Sequence, residues 1–490
     1  MEENLTHNSL DFLKKLNKYT LDSKLMICQK YSSRIMSLSE VDFVKAYNEN
    51  IMPWEIEAFA AYSIVYDDDN ATEALDIKTF GEIITLIRNY WHSGLTTAEQ
   101  DGRYPEIFMM ISALQQFPVQ GVFLQKLFRY HYFFTFQNEK VDMKKIFYKK
   151  IGVDYERFEV FAFLVFLSFS KEAQNKLLKV DILKLSRIAF SDNAVFKELC
   201  IEKEEYKKKL ASLYKDNVID QYYGLKIQYV YPFISGVDFI YAPSPYLVIN
   251  AVTESMLNRI TYNDIELRRL IGKEVIENYL YDILSQLDTA TWISSEIKYN
   301  KGKDIMLSPD VITAEGDNIV FYDTKAITPS LKLRKFDAKE ITKDIDIYAE
   351  DVIQIYNQIQ NYLQGLFLLD KEYTKTQIFG IVVVLEDAVV SRKRVYDKVF
   401  EIMEKKIHLS DGDKGYICSH IKIISLRAIE CMVLQNTSIL PELISQLDKP
   451  ERWYDYTYEN VTSKNGLNQI YESYERSIKN KIKQIMKECV

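Results

Sequence analysis

Glycine and proline are scarce in this chain, 15 and 10 among 490 residues, and no stretch concentrates them. That scarcity excludes collagen-like and low-complexity architectures and argues for long helices joined by few extended linkers. Cysteine is also sparse. The five cysteines, Cys28, Cys200, Cys418, Cys431 and Cys489, are odd in number, scattered and free of C-x-x-C spacing, so no disulfide framework is expected and the thiols read as reduced. His420 follows Cys418 by two residues, but a lone pair lacks the further ligands a zinc site needs. The longest strongly apolar run, Val160–Ser170, has only about half the length of a membrane span. The start, MEENLTHNSLDFLKK, lacks a signal-peptide pattern, so a cytoplasmic protein without a membrane partner is expected. Positive charge is in deficit as well, with a net charge of −8, so any contact with nucleic acid must be local.

What is present is ordinary globular composition, 47% hydrophobic and 27% charged, with abundant Tyr (35) and Phe (26). Residues 1–220 show helical apolar spacing almost without interruption, at Leu10–Asn17, Ser39–Glu49, Ile77–Trp91, Val119–Phe136, Phe158–Phe169 and Lys176–Ala189. The aromatic segment FRYHYFFTF, Phe128–Phe136, reads as core rather than a base-stacking platform, and Asp67-Asp68-Asp69 as acids serving a helix N-terminus. Between residues 221 and 262 the pattern turns to strand-like alternation, KIQYVYPF and VDFIY, which predicts a β-rich connector. Residues 263–430 mix helical and strand patterns, and 431–490 read as a helical extension, with helices over Ala428–Gln446 and Leu467–Lys487. The expected class is α+β: an all-α domain, a mixed sheet flanked by helices, then C-terminal helices.

The densest chemistry lies in IMLSPDVITAEGDNIVFYDTKA. Ile305–Thr313 and Ile319–Ala326 read as two strands joined by Glu-Gly-Asp-Asn. A two-residue turn at Gly316-Asp317 pairs Glu315 with Asn318, and counting outward sets Asp310 opposite Asp323. Facing carboxylates repel unless a cation sits between them, and Mg²⁺ suits a site offering one or two carboxylates plus water and phosphate. Strand alternation puts Lys325 on the face of Asp323, its ammonium aimed at the ion's water, and leaves Thr324 only its backbone carbonyl near the ion. Upstream, a helix from about Asp264 to Leu287 has an apolar stripe into which Glu277 intrudes, either as a carboxylate offset by that ion or as a solvated helix edge. Downstream, the Asp351–Leu369 helix carries Gln358 and Tyr362 on one surface, able to hold a phosphate or to pack at the core edge; Gln354 lies one turn before Gln358.

This order of elements, an acidic helix, Pro309-Asp310, Asp323-Thr324-Lys325 and then a Gln358-x-x-x-Tyr362 helix, resembles the PD-(D/E)xK nuclease superfamily and its Q-x-x-x-Y branch. The resemblance spans about Ile265 to Leu426, with Ile378–Leu385 and Ile421–Leu426 as later core strands. It implies a restriction-endonuclease-like core and a Mg²⁺-dependent nuclease, with Mn²⁺ as an alternative ion. Asp310 and Asp323 would ligate the ion, Glu277 would support it, Lys325 would orient or deprotonate water, and Gln358 and Tyr362 would contact substrate. DNA is the expected partner, with RNA not excluded, in restriction, repair or defence against phage. The helical N-terminal part would then regulate, recognise substrate or build a homo-oligomer. Lys332, Arg334 and Lys335, with Lys339 and Lys343 beyond them, follow the second strand, and Arg392, Lys393 and Arg394 follow a later one; each run reads as a phosphate contact or as solvated surface. A non-catalytic scaffold is the alternative from another class.

Overall fold

The computed structural model describes residues 12–36, 51–100, 123–162, 198–213, 227–235, 240–328, 338–386, 391–435, 438–445 and 466–488. The helices expected over Ser39–Glu49 and Lys176–Ala189, and the run Lys332, Arg334, Lys335, lie outside these residues. The fold is α+β, as its sequence predicts, with helices before, around and after a five-stranded mixed sheet.

Three short strands, β1 (Cys200–Glu202), β2 (Phe233–Ser235) and β3 (Ile240–Tyr241), form one small sheet. Two more, β5 (Lys298–Lys301) and β6 (Asp304–Leu307), form a ribbon. The main sheet has the order β10-β9-β8-β7-β4, built from β4 (Trp292–Ser295), β7 (Val311–Glu315), β8 (Asn318–Lys325), β9 (Ile378–Val384) and β10 (Ile421–Ser425). β4, β7 and β8 are antiparallel neighbours, whereas β8, β9 and β10 run parallel. Parallel strands need cover on both faces, which explains why IFGIVVV in β9 is apolar and buried at every position.

The β7–β8 hairpin has the expected register, from Glu315↔Asn318 to Val311↔Tyr322. Gly316 at φ +60° supplies the positive φ that the first central position of such a turn requires. The expected strand Ile305–Thr313 is nevertheless two strands. Pro309 has no N–H to give a ladder, and Ser308 turns the chain by exchanging hydrogen bonds with Ile297: its N–H donates to the Ile297 carbonyl (2.9 Å), while its hydroxyl accepts from the Ile297 N–H (2.8 Å). The first half therefore leaves the main sheet to pair with β5.

The sheet separates two apolar layers. Ile312, Phe321, Val382 and Val384 pack with the Ala338–Leu363, Arg392–Glu404 and Asp411–His420 helices. Val311, Val320, Tyr322, Ile381 and Val383 pack with the Glu277–Leu284, Leu426–Leu434 and Gly466–Glu488 helices. This second layer corrects the proposed boundary near residue 220, because the Phe123–Thr135 helix belongs to it. Tyr130, Phe133 and Phe134 are fully buried there, and Phe133 meets Tyr279 edge-on at 5.3 Å. The segment FRYHYFFTF is core, as expected, but core of the sheet layer rather than of a separate helical domain.

Polar contacts tie the same helix down. Arg129 pairs with Glu430 (2.7 Å) and Glu386 (3.4 Å), and Lys126 pairs with Glu254 and Glu386, both at 3.4 Å. The C-terminal helix is joined too, through the Tyr474 hydroxyl that donates to Glu159 (2.7 Å). A distinct N-terminal core gathers Leu16, Phe59, Ile64, Phe80 and Ile84 with Ile201, Tyr206, Ile234 and Tyr241. The expected β-rich connector is thus divided: β2 and β3 complete this N-terminal unit, while Leu247–Val252 and Glu254–Ile260 are helices in the sheet layer. Asp67 and Asp69 serve no helix N-terminus. They pair with Lys203, and Asp67 also with Lys24, joining two parts of the N-terminal unit.

Candidate functional site

The site forms where β4 and β8 end and β7 begins, and the registers explain how. Ser295 pairs with Val311, and Val311 with Tyr322, so one step further Glu296, Asp310 and Asp323 stand at the same level on three adjacent strands. A helix completes the cluster. Asp264 caps it, its side chain accepting the Leu267 N–H (3.1 Å), and after Ile265–Ile271 the backbone widens into a π-turn over Gly272–Ile276 before resuming at Glu277. Such turns re-aim side chains, and this one carries Lys273 and opens onto Glu277. The helix packs closely on the segment after β8 here: a Cβ at Gly272 would just touch the Ala326 Cβ, at 3.4 Å.

Glu277, Glu296 and Asp310 each offer a carboxylate oxygen, all within 4.8 Å of one another. Asp310 is held firmly: its Oδ2 accepts from the Thr324 N–H (2.7 Å) and hydroxyl (2.8 Å). Here the structure corrects the expectation for Thr324, whose hydroxyl reaches the site as well. Lys273 Nζ bridges Glu296 (2.5 Å) and Glu277 (3.0 Å). On the other side Lys325 Nζ lies 2.6 Å from Asp323 and 3.3 Å from Asp351, and donates to Gln354 Oε1 (3.0 Å).

Five carboxylates thus share two ammonium groups, and their proton affinities show the imbalance. Burial and the charge of Asp310 push Glu277 up to about 8, and burial and Asp323 push Asp310 up to about 7. Burial raises Asp351 to about 6, with Lys325 opposing. Burial alone would lower the Lys325 ammonium, but Asp323 and Asp351 overcome it and hold its pKa above the ordinary lysine value.

Of the residues singled out from sequence, Glu277, Asp310, Asp323, Thr324 and Lys325 come together. Glu296 joins them unforeseen. Its signal was the β4–β7 register, which the same outward counting would have exposed had that pairing been known. The downstream helix places a different amide at the site: Gln354 bridges Lys325 and Asp323, its Nε2 3.2 Å from Asp323 Oδ1. Gln358, one turn on, is buried and its Oε1 has no partner among the described residues; the same holds for Asp351 Oδ2. Tyr362 does not reach the acids. Its ring packs on Phe321 and Phe367, and its hydroxyl accepts the Tyr373 N–H (2.9 Å), near the hairpin end where Lys371 donates to Gly316. Three to four residues per turn carry it two turns past Gln354, away from the strand ends. Arg392 is likewise no surface contact, being buried with its guanidinium donating to the Ile423 carbonyl (2.8 Å). His420 stacks on Tyr416 and Phe379.

The donor set fits a hard divalent cation such as Mg²⁺. It is all oxygen and rich in carboxylate, burial and neighbouring negative charge raise Glu277 and Asp310 well above ordinary carboxylates, and Asp351 and Gln358 beside it each carry a buried oxygen without a hydrogen-bond partner among the described residues. Set against protein families, curated proteins and solved structures, the chain matches none of them. Among the described residues, no helix is long and apolar enough to cross a membrane.

The raised acids make a stability prediction. An acid whose pKa rises on folding contributes stability below its unfolded value near 3.8 and loses it as pH climbs through the folded value, about 7 for Asp310. Without divalent ions, therefore, the protein should lose stability between about pH 4 and pH 8. Asp310→Asn keeps an acceptor for Thr324 but carries no charge, so in EDTA it should melt above wild type at pH 8, by about 1–3 kcal/mol, and by less at pH 5. Thermal melts at the two pH values check this; a variant that melts lower at pH 8 would contradict the repulsive cluster.

Proposed function

We propose that this chain is a Mg²⁺-dependent nuclease of the PD-(D/E)xK class, acting on DNA. The observation that carries the reading is the convergence of Glu277, Glu296 and Asp310 within 4.8 Å of one another, beside the Asp323–Lys325 pair at the end of β8. Glu277, Glu296 and Asp310 would hold the ion, with the Thr324 backbone carbonyl and Asp323 adjoining. Bound Mg²⁺ supplies Lewis-acid stabilisation of the charge that develops on a scissile phosphate. Thr324 fixes Asp310 through two hydrogen bonds, leaving its other oxygen for the ion. Lys325, held protonated by Asp323 and Asp351, orients water and offsets negative charge rather than removing a proton. Gln354 steadies that ammonium.

The β5–β6 ribbon is rooted between Glu296 and Asp310 and supports a polyanionic substrate. Tyr299 and Lys301 anchor one of its faces to Asn361 (2.8 Å each), while Lys298 and Lys303 are exposed. Roles in restriction, repair or phage defence would follow from the class.

Calorimetric titration of Mg²⁺, paired with linear, circular and single-stranded DNA and RNA incubated with Mg²⁺ or chelator, tests the reading. Wild type should bind Mg²⁺ and cut DNA only in its presence, and Glu296→Gln should weaken Mg²⁺ binding about tenfold or more, the consequence of losing one charged ligand. Absence of both Mg²⁺ binding and cleavage would leave a scaffold instead. Cleavage of RNA with DNA spared would move the substrate to RNA.

A further inference from the structure

Several buried or half-buried cations of this protein pair with carboxylates: Arg129 with Glu430, Lys126 with Glu254, Lys24 with Asp67 and Arg259 with Glu198. Arg268, like the buried Lys422 that donates to the Cys418 carbonyl, rests on neutral acceptors, but it does so beside the acidic site. Its guanidinium donates through Nε to the Ala326 carbonyl (2.9 Å), through Nη1 to Asn258 Oδ1 (3.2 Å) and Thr261 Oγ1 (3.3 Å), and through Nη2 to Thr328 Oγ1 (3.2 Å). Every acceptor is neutral, and no carboxylate pairs with it among the described residues. Burial depresses its pKa, opposed only by Tyr130. A withdrawn charge without a counterion is costly, and a permanently charged guanidinium cannot relieve that by losing its proton.

The cluster around Arg268 is recessed but not sealed. Arg268, Asn258, Ala326 and Thr328 are all half-buried, and only Thr261 falls among the buried residues. Its place is informative as well. Ala326 follows Lys325 directly, so Arg268 grips the segment leaving the proposed catalytic strand. On its own helix it precedes Glu277 by nine residues. That is about 13 Å along the axis, a span of roughly two to four nucleotides. The Thr261 hydroxyl donates to the Leu257 carbonyl (2.8 Å) and the Thr328 hydroxyl to Asn258 Oδ1 (3.0 Å), so a phosphate oxygen would take over neutral, exchangeable bonds beside an arginine fork.

We propose that Arg268, with Asn258, Thr261 and Thr328, forms a phosphate-binding subsite that takes a phosphate of the substrate strand a few nucleotides from the bond cut at Asp310 and Lys325. The subsite rests on the nuclease reading and extends it to how the strand is gripped. The phosphate is either an internal phosphodiester or a terminal monophosphate, and the two differ in length dependence and in response to end chemistry.

The test uses the full chain in EDTA, so binding is read without turnover. Oligonucleotides of one sequence, with a 5′-phosphate or a 5′-hydroxyl, are titrated into wild type and Arg268→Gln over a range of salt. The variant should bind about tenfold more weakly, with the slope of log affinity against log salt reduced by about one. Equal losses for both oligonucleotides mark an internal phosphodiester; loss confined to the 5′-phosphorylated one marks a terminal site. In wild type, the oligonucleotide should also protect Arg268 from phenylglyoxal, read by mass spectrometry, a measurement that stands if the variant fails to fold. Unprotected Arg268, or a folded variant with unchanged affinity and slope, would overturn the subsite while Mg²⁺-dependent cleavage by wild type kept the nuclease reading intact. Wild type that binds no oligonucleotide in EDTA would overturn the subsite, and the absence of Mg²⁺-dependent cleavage as well would overturn the nuclease reading with it.

Discussion

A chain that begins at Tyr222 is expected to be insoluble or to lack a cooperative melt, even though it contains every residue of the candidate site. Truncation there removes the Phe123–Thr135 helix, and with it Leu127, Tyr130, Phe133 and Phe134 from the layer under β7, β8 and β9. Each large apolar side chain lost from a core withdraws about 1.5–3 kcal/mol. The truncation also strips Arg129 from Glu430 and Glu386, and a buried charge left without its partner costs about 3–5 kcal/mol. Glu430 is fully buried, so water cannot replace the guanidinium. Together these losses come to about 9–17 kcal/mol, comparable to the whole of the roughly 5–15 kcal/mol that holds a typical domain folded. Arg129→Met in the full chain isolates the electrostatic part and should lower stability by about 3–5 kcal/mol in denaturant melts. A soluble, monomeric fragment with a sharp thermal transition would show the helix to be an accessory.

Lys325→Ala should reduce cleavage by a factor on the order of 10²–10³, the size expected when one preorganised charge is removed from a developing anion. Lys325 sits at the end of β8, half-buried and bound by Asp323, Asp351 and Gln354, so its loss leaves two acids closer to mutual repulsion but opens no apolar cavity. The folded protein should survive and still bind DNA. Lys325→Arg should not restore activity, because a planar fork cannot take the place of a compact ammonium seated between two carboxylates. Circular dichroism beside single-turnover rates separates the catalytic effect from misfolding; full activity in the alanine variant would remove Lys325 from the mechanism.

How much of this was legible beforehand follows from the range of each interaction. The β7–β8 hairpin is local: Gly316 fixes the turn, the turn fixes the register, and the register sets Asp310 level with Asp323. Pro309 is equally visible, but the departure of Asp304–Leu307 into a ribbon is masked by Ile305, Met306 and Leu307, apolar residues that suit a core strand and yet are exposed. Glu296 depends on the pairing of β4 with β7, and nothing in SSEIK announces that partner. The helix Phe123–Thr135 shows a clear apolar face, but periodicity says only that a face is buried, not against what. Its true partners lie some 150 to 300 residues further on, at Tyr279 and Glu430. Gln354 and Gln358 share a helix face with Asp351, and only contact with Lys325 chooses between them; Tyr362 extends that face past the end of the site.

The central claim is that the acids around Asp310 hold a divalent ion for cleavage of a phosphodiester with Lys325 as the helping charge. Single-turnover cleavage of linear duplex DNA by wild type, Asp310→Asn and Lys325→Ala, each with Mg²⁺ and with EDTA, tests it most directly. The account predicts cleavage by wild type with Mg²⁺ alone, and none above background in EDTA or in Asp310→Asn. Undiminished cleavage by Asp310→Asn, or wild-type cleavage that persists in EDTA, would contradict it.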